Sequence, residues 1–461
     1  MVIPVLGWFL FLLLIWVPVE KALGAYCFNN YDLGIYAQAL QLISWQQINP
    51  FLSTRDVNIF NDHFDPILLF IAPLRSYVSP ELLAVRIEMI SIIIASIAPL
   101  WLKGKSYVDK NSAHCAFGVI LFSPMTLNAV LYPSHPGTWS LAPLAWMMAF
   151  IFSGKYFPAG VSLLVLMSCK EEYPILGAFI GMILLFYRKK PAGITFLFMS
   201  ILWGIGVFAV RPLVWGRSDF YTSAVLGASG LTMSSIAEAS IELGKILLWV
   251  FIPSLCLNSK VSKYVKWRFV DLNFALPFMT AIILLAIRML GGYWGNHRAA
   301  PLAIAAAFMI LSLWPENIFT LKRMLVFCFT LLIFAFPSLE LGSRYWRGKP
   351  FKKHCSPSIA RVQAISEAIE ILKNGKATRV LAQGNLVPHL VSLAGIAQVG
   401  ATKGTEFRYF FVEKSIFRST WPLSAADFQK IEFKWRIGPN VKVVRDDEHV
   451  LLLESSDSGA F

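Results

Sequence analysis

NNYDLGIYAQALQLISWQQINPF, residues 29–51, and FNDHFDPILLF, residues 60–70, decide how this chain is read. They set Asp32, Asp62, His63 and Asp65 beside long apolar runs. Leu33, Tyr36, Leu40 and Ile43 recur at helical spacing, with Gly34, Gln38 and Gln41 opposite them. That pattern predicts an amphipathic helix lying in a membrane interface. A second interfacial helix is predicted from Pro66 to Tyr77, ahead of the next apolar run.

The rest of the chain fits that setting. Of 461 residues, 56% are hydrophobic and 15% charged, against roughly 25% charged in a soluble domain. Apolar runs repeatedly reach the ~20 residues that cross a bilayer, so the fold class is an α-helical polytopic membrane protein. Spans are predicted near 2–20, 80–102, 112–132, 138–153, 156–169, 173–187, 192–211, 237–257, 270–290, 299–314 and 321–339, about eleven in all. The run from Val2 to Val19 lacks a basic flank and exceeds a signal-peptide core. It reads as a retained helix, although Ala22-Leu23-Gly24 would serve as a cleavage site in the opposing signal-peptide reading.

With the N-terminus cytoplasmic, the inner loops collect Lys103, Lys105, Lys110, Lys155, Arg188, Lys189, Lys190, Lys260, Lys263, Lys266, Arg268, Lys322 and Arg323. This is the positive-inside alternation. It also accounts for the net charge of +14 without a nucleic-acid partner. The outer side receives the first loop (21–79), YPSHPGTW (132–139), CKEEYP (169–174), VRPLVWGRSDFYTS (210–223) and GGYWGNHRAAP (291–301). Acids and histidines from distant parts of the chain converge there.

Residues 1–340 therefore read as the membrane domain, and 341–461 as a small extracytoplasmic α/β domain. In the latter, SIARVQAISEAIEILKN and SAADFQKIEFK predict helices, RVLAQG and FRYFFVEKS strands, and VKVVRDDEHVLLLES a hairpin. The membrane part shows no repeat between its halves, which weighs against an inverted-repeat transporter. The six cysteines lack any CxxC pair or metal spacing. Cys27 and Cys355 share the outer side, yet nothing in their spacing predicts a bridge.

Several residues carry a chemical and a structural reading side by side. Asp32 is either a boundary carboxylate, acting as base or cation holder, or an N-cap of the helix that follows. Asp65, before Pro66, has the pattern of a cap. Asp62 and His63 lack that explanation and form a candidate acid–imidazole pair for orienting a hydroxyl, moving a proton or binding a metal. His135 reads as a site histidine or a turn residue. Lys170, Glu171 and Glu172 read as a phosphate contact with site acids, or as a solvated outer turn. Arg211, Arg217 and Arg298, with Tyr293 and His297, could fork onto a phosphate or snorkel to headgroups. There is no P-loop, Rossmann glycine pattern, GxSxG or HExxH.

YDLGIYAQAL, NDHFDPIL, His135-Pro136, Lys170-Glu171-Glu172 and GNLVPHL (384–390) together resemble the signature of a prokaryotic family of predicted multi-pass membrane proteins of unknown function. That family is grouped distantly with the GT-C glycosyltransferases. The resemblance implies a GT-C-like membrane domain with interfacial helices in its first outer loop, in the prokaryotic cytoplasmic membrane. It implies sugar transfer from a polyprenyl-phosphate donor to a glycan, lipid or protein acceptor on the outer face. Catalytic roles would fall to Asp32, Asp62, His63 and Glu171, with Asp32 the activating acid. Substrate contacts would come from Tyr36, Gln38, His135, Lys170, Glu172, Arg217, Tyr293, His297 and Arg298. A divalent cation is left open, but Ala37 replaces the second acid of the family pattern, against a metal held by two carboxylates of that helix. The alternative is a transporter or lipid- or assembly-binding protein without covalent chemistry, which would use Arg86, Glu88, Glu242 and Lys245.

Overall fold

The structure, a computed structural model, describes residues 2–28, 31–215, 244, 271–290, 299–313, 355, 358–400, 406–414, 423–438 and 440–456. The chain is mostly helical and forms two compact units. One comprises residues 1–12, 60–67 and 87–339; the other comprises 13–59, 68–86 and 340–461.

Apolar helices dominate the described residues. Val2–Gly24, Pro80–Gly104, Lys110–Val130 and Lys190–Trp215 are long and apolar enough to cross a membrane. Tyr156–Cys169, Tyr173–Phe186, Leu272–Ala286 and Ala300–Ser312 are apolar but shorter. The spans expected at 237–257, apart from residue 244, and at 321–339 lie outside the described residues. Along Lys190–Trp215, Ile194, Phe198, Ile201, Leu202 and Ile205 are all exposed. A stripe of that size facing water would be an association surface; facing lipid, it carries no penalty.

In the first unit, Tyr173–Phe186 and Lys190–Ile205 approach backbone to backbone. A Cβ on Gly181 would lie 2.8 Å from Leu197 N and 3.0 Å from Gly193 O. A Cβ on Gly177 would collide with Ser200 Oγ, and Pro174 faces Gly204 further along. Small residues permit this contact, the usual currency of helix association in lipid. Ala300–Leu313 is enclosed, with every side chain from Leu302 to Ile310 at most 1% exposed.

The second unit contains a five-stranded sheet. Its strands are β3 (Thr378–Ala382), β4 (Ala394–Gln398), β5 (Tyr409–Glu413), β6 (Val441–Asp446) and β7 (Val450–Ser455), after the short β1 (Phe51–Leu52) and β2 (Val57–Asn58) pair. The order is β4-β3-β5-β7-β6, with β3 parallel to both neighbours and β7 antiparallel to both of its own. Alternation sorts the side chains. Val380, Ala382, Phe411 and Leu452 pack with helix Ile359–Asn374 on one face. Leu381, Phe410, Val412, Leu451 and Leu453 pack with Phe428 and Trp435 of helix Ala425–Arg436 on the other. β4 was not foreseen: AGIAQ is short and small-residued, and only its pairing with β3 makes it a strand.

Three expectations are corrected in this unit. Cys27 and Cys355 are disulfide-bonded, with Cα atoms 5.4 Å apart; their spacing of 328 residues left the pairing invisible in sequence. The helix Tyr31–Leu42 exists, but Leu33 to Leu40 are all buried, and of its expected polar face Gly34 and Gln38 are enclosed while Gln41 stays half-exposed. Its small face is filled by protein, since a Cβ on Gly34 would come 2.9 Å from Val387 Cγ1. Asp32 does not precede this helix; it is in the first turn, where a carboxylate favours the helix dipole. The second expected helix appears as Ile67–Ile71 continued by a 3₁₀ turn at Ala72–Ser76.

The same unit ties the chain after the first helix to the sheet domain. Arg361 donates to Glu413 Oε1 at 2.5 Å and Oε2 at 2.9 Å, and to the Ala25 carbonyl at 2.7 Å. Asn385 of the GNLVPHL stretch donates to the Tyr26 carbonyl at 3.0 Å. Ser53 donates to the Ile396 carbonyl at 2.7 Å.

Candidate functional site

The first unit buries a group of charges. His63 follows the short helix Ile59–Asp62, and its Nδ1 lies 3.3 Å from Glu171 Oε1. Glu171 sits in the turn between Tyr156–Cys169 and Tyr173–Phe186 and is 1% exposed; Lys170 beside it is 5% exposed. The solvated-turn reading therefore fails for both, while Glu172 stays half-buried and its side chain does not cap the next helix. Asp62 and Asp65 are fully enclosed, and the charges of both reach His63. Asp65 also acts electrostatically on Cys169 and Tyr173. Its place among these groups goes beyond the cap that the Asp-Pro pattern suggested.

Burial alone would lower the His63 pKa. The hydrogen bond to Glu171 and the charges of Glu171, Asp62 and Asp65 overcome it and raise the value to about 9. At neutral pH His63 is an imidazolium against a carboxylate, so it can donate a proton but cannot accept one.

A second strand of chain reaches the same turn. Ser140 Oγ and Tyr173 OH are 2.5 Å apart, two residues beyond Glu171. His135 opens the short helix Pro136–Trp139 on that segment and stacks on Tyr132 at 5.4 Å. The buried Glu88 Oε2 accepts from Ser134 N at 2.6 Å, and Ser134 has φ +78°. A carboxylate inside a span thus holds the left-handed residue that presents His135.

Arg211 is 8% exposed, and neither its Nε nor its Nη1 has a hydrogen-bond partner among the described residues. Trp215, one turn on, packs against Phe60 and Phe64, and its carbonyl accepts from Asn61. These residues flank Asp62 and His63 in sequence. The Pro174–Gly204 approach puts Lys170 and Glu171 toward the same end of the helix pair as Arg211. A buried guanidinium with two nitrogens left unbonded is costly unless an anion joins it. Sequence spacing did not separate Arg211 from a snorkelling arginine; burial does.

Asp32, Tyr36 and Gln38 belong to the second unit. Tyr36 is buried, Asp32 half-buried. Gln38 serves its neighbours: Oε1 accepts from Thr54 N at 3.0 Å and Thr54 Oγ1 at 2.8 Å, and Nε2 donates to Ser53 at 2.8 Å. Arg217, Tyr293, His297 and Arg298 lie outside the described residues, as do Glu242 and Lys245. Arg86, weighed for a transport path, is held by Glu20 at 2.7 and 3.1 Å. Among the described residues, no three His, Cys, Asp or Glu side chains form a group that could hold a metal ion, so no ligand set for a divalent cation is identified there.

The chain matches the model of a family described as "Predicted membrane protein (DUF2079)" over residues 25–403. It belongs to that family. The match runs from the end of the first helix through β4, and so spans Asp32, the buried charges and the GNLVPHL stretch. Comparison with curated proteins gives no match.

Proposed function

We propose that this member of the family is a GT-C-type membrane glycosyltransferase. It moves a sugar from a polyprenyl-phosphate donor to an acceptor on the outer face of the prokaryotic cytoplasmic membrane. About eleven spans, a cytoplasmic N-terminus and an extracytoplasmic sheet domain complete the proposal. One observation carries it: Asp62, Asp65, Lys170, Glu171 and Arg211 are buried, His63 is half-buried against Glu171, and Arg211 Nε and Nη1 have no hydrogen-bond partner among the described residues. A purely structural network would neutralise its own cations, whereas a phosphate site leaves them for the ligand.

In the proposed reaction an acceptor hydroxyl attacks the anomeric carbon. A new C–O bond forms as the bond to the phosphate oxygen breaks. The electron pair leaves with the polyprenyl phosphate, whose charge Lys170 and Arg211 stabilise. The GT-C resemblance alone assigns the hydroxyl proton to Asp32, a residue of the second unit. The His63 imidazolium supplies a further positive charge, with Glu171 and Asp62 holding its protonation. Positioning and proton transfer suffice for this chemistry.

Release of polyprenyl phosphate is the test that needs no knowledge of the acceptor. Proteoliposomes holding the full chain are given a panel of polyprenyl-phosphate sugars with a membrane extract as acceptor source. Phosphate-lipid release above protein-free vesicles supports the proposal. Panel-wide absence of release, with correctly folded protein, sinks it.

A further inference from the structure

Within the second unit, a cavity of about 520 Å³ opens where two membrane-crossing helices end. Glu20, Lys21, Leu23, Gly24 and Ala25, at the end of Val2–Gly24, line one side. Ser79, Glu81 and Leu82, at the start of Pro80–Gly104, line another, with Val362 and His389 of the sheet domain completing it. Its volume is that of a small-molecule site, typically ~300–1,000 Å³.

The charges around it are unequally committed. Glu20 is occupied, accepting from Trp16 at 2.6 Å and from Arg86 through both oxygens. Glu81 is engaged by Ser79, by its own backbone amide and by His389, whose Nδ1 is 3.7 Å from Oε1. An ionised carboxylate offers about four lone-pair sites, so one more donor can join these three. The His389 ring is fixed edge-on against Tyr26 at 4.6 Å. Lys21 is exposed and makes no ion pair among the described residues. Leu23, Ala25, Leu82 and Val362 supply apolar wall.

We propose that this cavity binds the headgroup of an amine-bearing phospholipid. The ammonium sits against Glu81, the phosphodiester meets Lys21, and the short hydrocarbon link between them lies on the apolar wall. Mixed charge on two span ends selects a zwitterion at headgroup depth rather than a soluble anion, which Glu81 would repel. A trimethylated headgroup keeps the charge but has no N–H to donate, and a glycerol headgroup has no amine at all. The site requires no transfer chemistry, so its occupation is measured without sugar donor or acceptor.

The test uses the purified full chain in detergent and native mass spectrometry with phosphatidylethanolamine, phosphatidylcholine and phosphatidylglycerol of identical acyl chains. Retention of the ethanolamine lipid should exceed the other two by at least about tenfold, the worth of one charge-assisted hydrogen bond. Glu81→Gln should erase that preference. Leu82→Trp, which enlarges a cavity-lining side chain and keeps both Glu81 and His389, should lower retention of the ethanolamine lipid even if Glu81→Gln folds poorly. Equal retention of the three lipids, or a preference unchanged in a folded variant, overturns the proposal. Soluble glycerophosphoethanolamine competing as strongly as the lipid also overturns it, because the ligand would then be a free ester.

Discussion

His63 and Glu171 are 108 residues apart in sequence and share an ion pair whose carboxylate is buried and whose imidazole is half-buried. Because the histidine pKa is raised to about 9, the pair's contribution to stability is complete below the unfolded value near 6.5 and is lost as pH rises through 9. Histidine-selective NMR should therefore find His63 protonated at pH 7.5 in the intact protein. In Glu171→Gln the hydrogen-bonded carboxylate is gone while burial still opposes protonation, so the His63 titration should move down by more than a unit. An unmoved titration would mean that the pair does not hold the proton. Arg211 gives a second expectation at this scale. Because Arg211 Nε and Nη1 have no hydrogen-bond partner among the described residues, Arg211→Met should leave the melting temperature unchanged or raised. Phosphate-lipid release should nevertheless fall at least tenfold. A loss of stability of several degrees would assign Arg211 a structural role instead.

Among the elements, the helix pair that brings Lys170–Glu171 and Arg211 toward one end depends on glycines. Gly181→Val would drive a side chain into Leu197 N and Gly193 O. Backbone cannot yield as a side chain can, so a loss of about 1–3 kcal/mol or more is expected, read as reduced thermal stability of the purified protein; Ala178→Val, on the same helix, is the control. The elements also show what sequence could say. The apolar helices and the helix–strand alternation after residue 340 were legible, because periodicity and composition are local properties. β4 was not, because a five-residue, small-residued strand acquires its identity from β3. Asp62 and His63 stood out in sequence because no cap pattern explained them, but that Glu171 would meet His63 was not visible there. The burial of Lys170 and Glu171 was not: two short helices and a charged turn look the same whether the turn faces water or an enclosed polar group. Ile43 and Leu40 fitted an interfacial face, but what Gly34 meets could be seen only once Val387 was in place.

At the scale of the molecule, the Cys27–Cys355 disulfide carries information about compartment. Bridges of this kind persist where the environment is oxidising, as the outer side of the cytoplasmic membrane is in the proposed topology. In intact cells, blocking free thiols before denaturation should leave Cys27 and Cys355 alkylated only after reduction. Cys115 and Cys169, both free and buried, should react upon denaturation without it. Removing the bridge by Cys355→Ser should cost about 2–5 kcal/mol. Reactive Cys27 without reductant would contradict the outer placement of this domain.

Asp32 separates the transferase account from a structural one most directly. It lies in the first turn of Tyr31–Leu42, where Asp32→Asn keeps size and hydrogen-bonding shape and loses a dipole interaction worth about 0.3–1 kcal/mol. A base is worth far more, about 10²–10⁴-fold in rate. The measurement is polyprenyl-phosphate release by wild-type and Asp32→Asn protein in matched proteoliposomes, with melting temperatures recorded alongside. The expected result is a fall of at least a hundredfold with the melting temperature shifted by no more than a few degrees. Equal release by a normally folded Asp32→Asn protein would contradict the catalytic role of that carboxylate.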